Sequence, residues 1–533
     1  MERKWWTLIA VSIGTFMLLL DITIVNVALP SIQVSLHSSF SDLQWVVDAY
    51  ALTLAALLLT TGSLADLYGR RIVFACGVAL FSAASLLSGL ATDPLMLNLA
   101  RGAQGIGGAT MFATSLALLA NAFRGAERGL AFGVWGAITG VAVAVGPVVG
   151  GAITSAISWR WIFLVNVPIG VIAVVITLAY LDESRDPNAT RPDVPGVVTF
   201  SGALAALVYA LIKGNTLGWG SATILACVVG AAILLVAFLI VERVQPAPMF
   251  DLSLFRKPTF SGGSIAAFAL SAGLFSLLLY LTLYLQDVLG LSPLQTGLRL
   301  LVLSGGILLT SAASGRLTAS VPIRLLIGPG LVLVAAGLLL MRGLSSSSGW
   351  THLIPGFILA GAGAGLINPP LASTAIGVVP PARAGMASGI NSTFRQVGIA
   401  TGIAGMGAVF AHEVRGRITA LLSAAPEVGS ANAHTIAAVV AQQGGAKQAI
   451  AAQPGPSRAV VEHAIRVGFA AGLNEVCLIG ALVTLIAGLL CLVLIRNRDF
   501  AEGAAHRQAA VAPATASDGR AAVGLATDAT ARR

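Results

Sequence analysis

Apolar runs of about twenty residues, separated by short polar turns, recur along almost all of this sequence. A bilayer core takes about 20 such residues per helix. Inside it every backbone group must be bonded within the protein, so each run is restricted to a helix. The runs predict spans near 7–29, 44–64, 72–92, 96–119, 129–152, 161–180, 195–213, 221–241, 259–286, 295–315, 323–343, 352–372, 391–412 and 467–495. Of the 533 residues 56% are hydrophobic and 10% charged, where a soluble chain would carry about 25% charged residues. A soluble enzyme, a nucleic-acid binder and a disordered chain are excluded. The expected fold is an all-α polytopic membrane protein.

The net charge of +9 sits in short loops rather than on a face. Loops assigned to the cytoplasm hold Arg70, Arg71, Arg124, Arg128, Arg185, Arg191, Arg243, Arg256, Lys257, Arg316, Arg324 and Arg383, and the termini add Arg3, Lys4, Arg496 and Arg498. The short opposite loops hold few, Arg160, Lys213 and Arg342, and none falls in 30–43. The positive-inside rule therefore puts both termini in the cytoplasm. The first run continues past a cleavage-like region to Pro30, which reads as an uncleaved span ending there. Cys76, Cys227, Cys477 and Cys491 all fall inside apolar runs without a C-x-x-C pair, so no disulfide or zinc site is read. The excess of Arg over Lys, with abundant Ala and Gly, hints at a GC-rich bacterial genome.

Two regions are not expected to span. Residues 413–465 form a long external segment of Ala, Gly, Gln and Pro without an aromatic residue, expected to hold short surface helices and no core. Residues 499–533 read as a disordered, Ala-rich cytoplasmic tail.

The strongest local signal is Gly62-Ser63-Leu64-Ala65-Asp66-Leu67-Tyr68-Gly69-Arg70-Arg71, between the second and third spans. Two glycines there allow a tight turn with positive φ. Asp66 is expected near the positive end of a helix, paired with Arg70 and Arg71. Such a charged clamp can hold two helix bundles together in one state and release them in another.

This loop resembles the signature loop of the major facilitator superfamily. Leu20-Asp21-Ile22-Thr23-Ile24-Val25-Asn26-Val27-Ala28-Leu29-Pro30 resembles the first-span motif of its fourteen-span drug:proton antiporters, the EmrB/QacA type. Leu97-Asn98-Leu99-Ala100-Arg101-Gly102-Ala103-Gln104-Gly105-Ile106-Gly107-Gly108 resembles the superfamily's fourth-span motif. Gly146-Pro147-Val148-Val149-Gly150-Gly151 resembles the fifth-span antiporter motif, and Ser158–Pro168 also looks like this family. The likeness covers nearly all of 5–412 and the last span.

The residues argue in the same direction by their chemistry. Asp21 lies about 12 Å from the expected outer end of its span, at 1.5 Å per residue. A carboxylate there costs roughly 2.5–3.5 kcal/mol on insertion scales, and water access would govern the loading and release of its proton. Arg101 lies one to two turns inside the fourth span, on a stripe with Asn98, Gln104, Gly105 and Gly108. The resemblance implies that Arg101 assists proton movement near the first span, so a contact between Arg101 and Asp21 is expected. Gly129, Gly133, Gly136, Gly140, Ala144, Pro147 and Gly151 form a small-residue stripe on the fifth span, a bendable seam between bundles. Gly146, Pro147, Gly150 and Gly151 are read as its hinge. Asp48 is a second candidate proton or cation site, or reaches interfacial water. Asn26, Gln104, Trp135 and Asn368 are candidate cavity residues.

The matching loop of the second half, Gly315 to Arg324, keeps no Asp, so the clamp is expected to be asymmetric. The tenth span holds Arg299 and no acid, which argues against dications as substrates. The resemblance implies two six-helix bundles, 1–190 and 258–498, with an inserted helix pair at 191–257. It also implies export of small amphipathic compounds, among them drugs, antibiotics and dyes, by a secondary active transporter rather than an enzyme. No cofactor, metal or nucleic acid is expected. The partners are the lipid bilayer, the transported molecule and protons, and a monomer suffices. One proton crossing 100 mV releases about 2.3 kcal/mol, equivalent to roughly fiftyfold accumulation. No G-x-x-x-x-G-K-[ST] loop is present. Alternative readings are a dedicated exporter of one metabolite or lipid, and a non-transporting membrane sensor.

Overall fold

The computed structural model describes residues 2–500 except 124, 186–191, 247, 319, 380–383, 426–427, 429, 444–445 and 454. Arg124, Arg191, Arg383 and the tail from 501 lie outside the described residues. Among the described residues there is no strand.

Among the described residues fourteen helices are long and apolar enough to cross a membrane. They are α1 (Arg3–Leu36), α2 (Phe40–Tyr68), α3 (Arg70–Gly89), α4 (Pro94–Ala122), α5 (Val134–Ala156), α6 (Trp161–Tyr180), α7 (Val194–Leu217), α8 (Ala222–Val244), α9 (Pro258–Val288), α10 (Pro293–Leu317), α11 (Arg324–Met341), α12 (Trp350–Ile376), α13 (Met386–Ser423) and α14 (Ser457–Leu494). Local chemistry sets several starts. Ser39 and Asp42 cap α2 reciprocally, and Ser292 and Gln295 do the same for α10. Proline occupies the first turn of α4, α9 and α10, where its missing N–H costs nothing. Successive spans run in opposite directions, so residues 3 and 494 share one face, here the terminal face. The other is the distal face.

Three expectations change. Pro30 does not end α1. It is buried inside the helix, which continues to Leu36 and stops at His37 with φ 51°; packing on both sides overrides the lost backbone bond. Asp21 is thus about 22 Å from the distal end of its helix, at 1.5 Å per residue. The segment 413–465 does build core. The α13 helix runs on to Ser423, the helices Ser430–Gln443 and Ala446–Ala451 follow, and the helix of α14 begins at Gly455. Val414, Ile418, Leu422, Ile436, Val440 and Ile465 are buried in the largest hydrophobic cluster. Aromatics are not needed, because alanine and β-branched side chains at helical spacing give an apolar face narrow enough to pack closely. At the other end, Asp499 accepts from the Thr259 amide at 3.1 Å and Phe500 packs on the core, so these two residues of the expected tail are anchored.

The spans α1–α6 pack as one group and α9–α14 as another, with α7 and α8 paired. The α7 helix lies on both α2 and α13. There Leu204, Val208 and Ile212 bury themselves against Ala51, Leu52, Ala55, Ala400 and Ala404. The inserted pair therefore covers one of the two seams between the bundles.

Candidate functional site

Asp21 of α1 and Arg101 of α4 form an ion pair at 2.5 Å with both side chains essentially inaccessible, 0% and 2% exposed. Gln104, one turn along α4, donates to the other Asp21 oxygen at 2.9 Å and accepts from Arg101 at 2.8 Å. Arg101 Nε donates to the Val46 carbonyl at 3.0 Å, and its guanidinium lies 4.4 Å from the Tyr50 ring centroid. A buried pair needs such additional bonds to offset its desolvation. The network continues outward: Gln104 donates to Ser85 Oγ at 3.3 Å, Asn166 donates to the same oxygen at 3.0 Å, and Ser85 donates to the Phe163 carbonyl at 2.9 Å. Gln104 thus belongs to the charged centre of α1–α6 and not to the cavity. Ser85 and Asn166 carried no sequence signal of their own as polar partners; a serine or asparagine in an apolar run is the weak hint available.

Asp48 is fully buried, and neither of its oxygens has a hydrogen-bond partner. It does not reach interfacial water. It stands one turn from Gln44, which donates to the Ile403 carbonyl of α13 at 3.1 Å. Tyr280 of α9 donates to the same carbonyl. Phe40 stacks on Phe410 with centroids 6.0 Å apart. Gln286 donates to the Val27 carbonyl at 2.8 Å, the Leu294 amide to Ser155 Oγ at 3.0 Å, and Ser304 to the Ala144 carbonyl at 3.0 Å. Among the described residues, all hydrogen bonds between the two bundles lie at the distal end or mid-height. Two π-helical turns, Ser271–Phe275 and Tyr284–Val288, bracket Tyr280 in α9, a distortion frequent at functional sites.

The signature loop is tighter than expected and differs in its charges. Gly62 lies inside α2; only Gly69 takes the left-handed region, at φ 114°. Asp66 is in the last turn of α2, and Arg70 binds it at 2.8 Å. The acid at the positive end of α3 is Glu183, which accepts from the Arg71 and Ile72 amides at 3.0 and 3.3 Å. Arg71 sends its guanidinium to the Leu181 carbonyl at 3.1 Å instead of to Asp66. These contacts tie the loop to the end of α6. Among the described residues none reaches the other bundle.

Gly146 and Gly150 let α5 lie directly against α1, where a Cβ on Gly150 would sit 2.7 Å from the Ile24 carbonyl. Gly151 meets the Pro293 carbonyl of α10, and the Pro147 carbonyl meets Gly297. The residues read as a hinge thus lie where α1, α5 and α10 meet. Beside them is a cavity of about 30 Å³, lined by Thr23, Asn26, Val27, Val143, Pro147, Leu274, Phe275, Leu278, Leu300, Leu303, Ser304 and Ile307. It is almost wholly apolar and lies between the bundles. Asn26 is on its wall. Trp135 is not: its indole donates to Thr15 Oγ1 at 2.9 Å. Asn368 is also off the wall, with a buried, unpartnered Oδ1 in α12.

The description "Major Facilitator Superfamily" matches residues 11–403. The multidrug resistance protein Stp of Mycobacterium tuberculosis is 39% identical over 406 residues, covering 76% of this chain and 75% of the relative. The tetracenomycin C resistance and export protein of Streptomyces glaucescens is 32% identical over 503 residues, covering 92% and 91%. Among solved structures, a bacterial homolog of the human lysosomal transporter Spinster, inward-facing and unoccupied, aligns with a TM-score of 0.60 at 19% identity over 94% of this chain and 98% of that one. At that identity the likeness speaks for the fold alone.

Proposed function

The chain belongs to the major facilitator superfamily, and from that membership we propose that it is a proton-coupled antiporter exporting small amphipathic compounds, drugs and antibiotics among them, from the cytoplasm by alternating access. The carrying observation is the sealed Asp21–Arg101–Gln104 network. A lone carboxylate at that depth is unstable, and Arg101 compensates it only while it is charged. A proton on Asp21 dissolves the ion pair and leaves Arg101 with Val46 and Gln104. Proton arrival thereby rearranges α1 against α4. The related resistance and export proteins support drug-like compounds as the cargo, and the lining of the cavity at Asn26 is apolar as such cargo requires, although at about 30 Å³ the cavity has to widen before it admits one.

The terminal face is cytoplasmic by the distribution of Arg and Lys. The distal contacts then close the outer side, and cargo enters from the cytoplasm. Asp48 supplies the coupling at this gate. A buried carboxyl with no donor and no cation is accommodated only without its charge. Closure of the outer gate therefore follows uptake of a proton from outside. The hinge on α5 supplies the moving seam, and among the described residues the loop at Asp66 makes no polar contact with the second bundle.

The test is drug-dependent proton release from acidified inside-out vesicles, followed with an acridine dye. Wild type is expected to release protons on addition of ethidium, and Asp21→Asn to release none at matched expression. Exchange that survives in Asp21→Asn would remove Asp21 from the coupling. If wild type moves ethidium without any proton, antiport itself fails.

A further inference from the structure

The inserted pair α7–α8 takes no part in the chemistry above, yet it holds two buried acids at the terminal face. Asp193 caps α7, accepting from the Gly196 amide at 2.9 Å and from the Gln245 side chain at 3.1 Å, both through Oδ1. Glu242, in the last turn of α8, accepts from the Phe250 amide at 2.9 Å through Oε2. Their remaining oxygens, Asp193 Oδ2 and Glu242 Oε1, are buried and have no donor. Each residue is 4% exposed. Both free oxygens crowd the point that a Cβ would occupy on Gly196, so they face one another across a gap that only glycine leaves open. Asp193 Oδ2 lies 2.4 Å and Glu242 Oε1 2.8 Å from that single point.

Among the described residues the charged groups nearby do not relieve this. Arg243 follows Glu242 on α8 and makes no ion pair with either acid. Asp251, in the linker between α8 and α9, adds a third negative group close to Glu242. Arg256 and Lys257 close the turn Leu252–Arg256, and the Lys257 ammonium donates to the Val378 carbonyl. Among the described residues no Lys, Arg or His pairs with Asp193 or Glu242. Two acceptor oxygens that are buried face to face cannot both be charged at modest cost, and one proton between them satisfies both.

We propose that Asp193 and Glu242 form a single-proton site, one proton shared between two carboxyls, that pins the inserted helix pair to the linker and through it to α13. The link is physical. Phe250, whose amide Glu242 holds, packs its ring on Phe238 of α8 at 5.6 Å, stacks on Phe255 at 5.5 Å, and meets Phe394 of α13 at 6.2 Å. Loss of the proton sets two buried carboxylates against each other and loosens Phe250 from this cluster. The site is independent of Asp21 and Asp48, and stands whether or not export is proton-driven.

Two measurements on the purified full-length protein in lipid nanodiscs test it, and neither depends on transport. The first is the infrared carbonyl band of protonated carboxyls. Asp193→Asn and Glu242→Gln are each expected to remove the same one-proton intensity, and the double variant no more. Additive losses, or no loss in either variant, would overturn the sharing. The second is thermal stability across pH. A proton held more tightly in the folded than in the unfolded chain gives stability that is present at low pH and lost as pH rises. Wild type is expected to lose melting temperature from mildly acidic to alkaline buffer. Asp193→Asn, whose amide donates to Glu242 without a proton, is expected to flatten that slope. An unchanged slope in Asp193→Asn would overturn the site.

Discussion

Arg101 reaches across from α4 to Asp21 on α1, eighty residues away in sequence, and the two close an ion pair at 2.5 Å out of reach of water. Each is costly alone in a membrane, and each is the other's main compensation.

The asymmetry of that pair gives the first prediction. Arg101→Ala strands a buried carboxylate and is expected to destabilise the folded protein by about 3–5 kcal/mol. Asp21→Asn keeps an acceptor for Arg101 and a partner for Gln104, so its melting temperature is expected to fall less while exchange is lost. Joining Asp21→Asn to Arg101→Gln is expected to recover stability relative to Arg101→Ala. Melting curves in detergent with a proton-release assay check both halves; equal destabilisation by the two single variants would contradict the pairing.

The signature loop separates its two glycines. Gly69→Ala forces a side chain into φ 114° and onto the Glu183 carboxylate. It is expected to cost more than about 1 kcal/mol. Gly62→Ala meets only Ala113 at 3.9 Å and is expected to be neutral or slightly stabilising. Glu183→Ala removes the acceptor for two first-turn amides of α3, and about 1 kcal/mol is expected to go with it. Thermal melts of the three variants, ranked, decide the matter.

The fourteen spans were legible because hydrophobic runs report a bilayer directly, and Asp21 and Arg101 because a charge inside such a run demands a reason. Glu183 was not legible. Its loop reads as polar turn residues, and only the tertiary approach of α6 to the start of α3 gives it two amides to cap. Local propensity ends α1 at Pro30, whereas burial on all sides carries the helix on to Leu36. The segment 413–465 differs for a related reason: low aromatic content signals disorder for a free chain, but these helices pack on the apolar distal ends of α13 and α14.

Close packing of α5 predicts a contrast along one helix. A Cβ on Gly150 falls 2.7 Å from both the Ile24 carbonyl and its Cγ1, and backbone does not yield as a flexible side chain does. Gly150→Ala is expected to cost about 1–3 kcal/mol by overpacking and to slow export. Gly136, with nothing within 4 Å, is expected to accept Ala with unchanged or slightly higher stability. Matched melting and efflux measurements on the two variants would expose any failure of the seam: equal tolerance at both positions contradicts it.

In the proposed export cycle Asp48 makes the outer gate sensitive to charge. Gln44 and Tyr280 stand beside a carboxyl that has no donor, so an ionised Asp48 opposes closure and a neutral one permits it. Asp48→Asn is permanently neutral and is expected to hold the distal side shut. The reporter is Ser41→Cys, a near-isosteric change at a buried position next to Phe40, in a background without the four native cysteines. A membrane-impermeant maleimide added outside is expected to label it several-fold more slowly when Asp48→Asn is also present. Raising the outside pH is expected to speed labelling with native Asp48 and leave the Asp48→Asn protein unmoved, because only the native gate can lose a proton. Equal labelling rates at all pH values in both backgrounds would mean that the gate closes without regard to the charge it buries, and Asp48 would leave the coupling scheme.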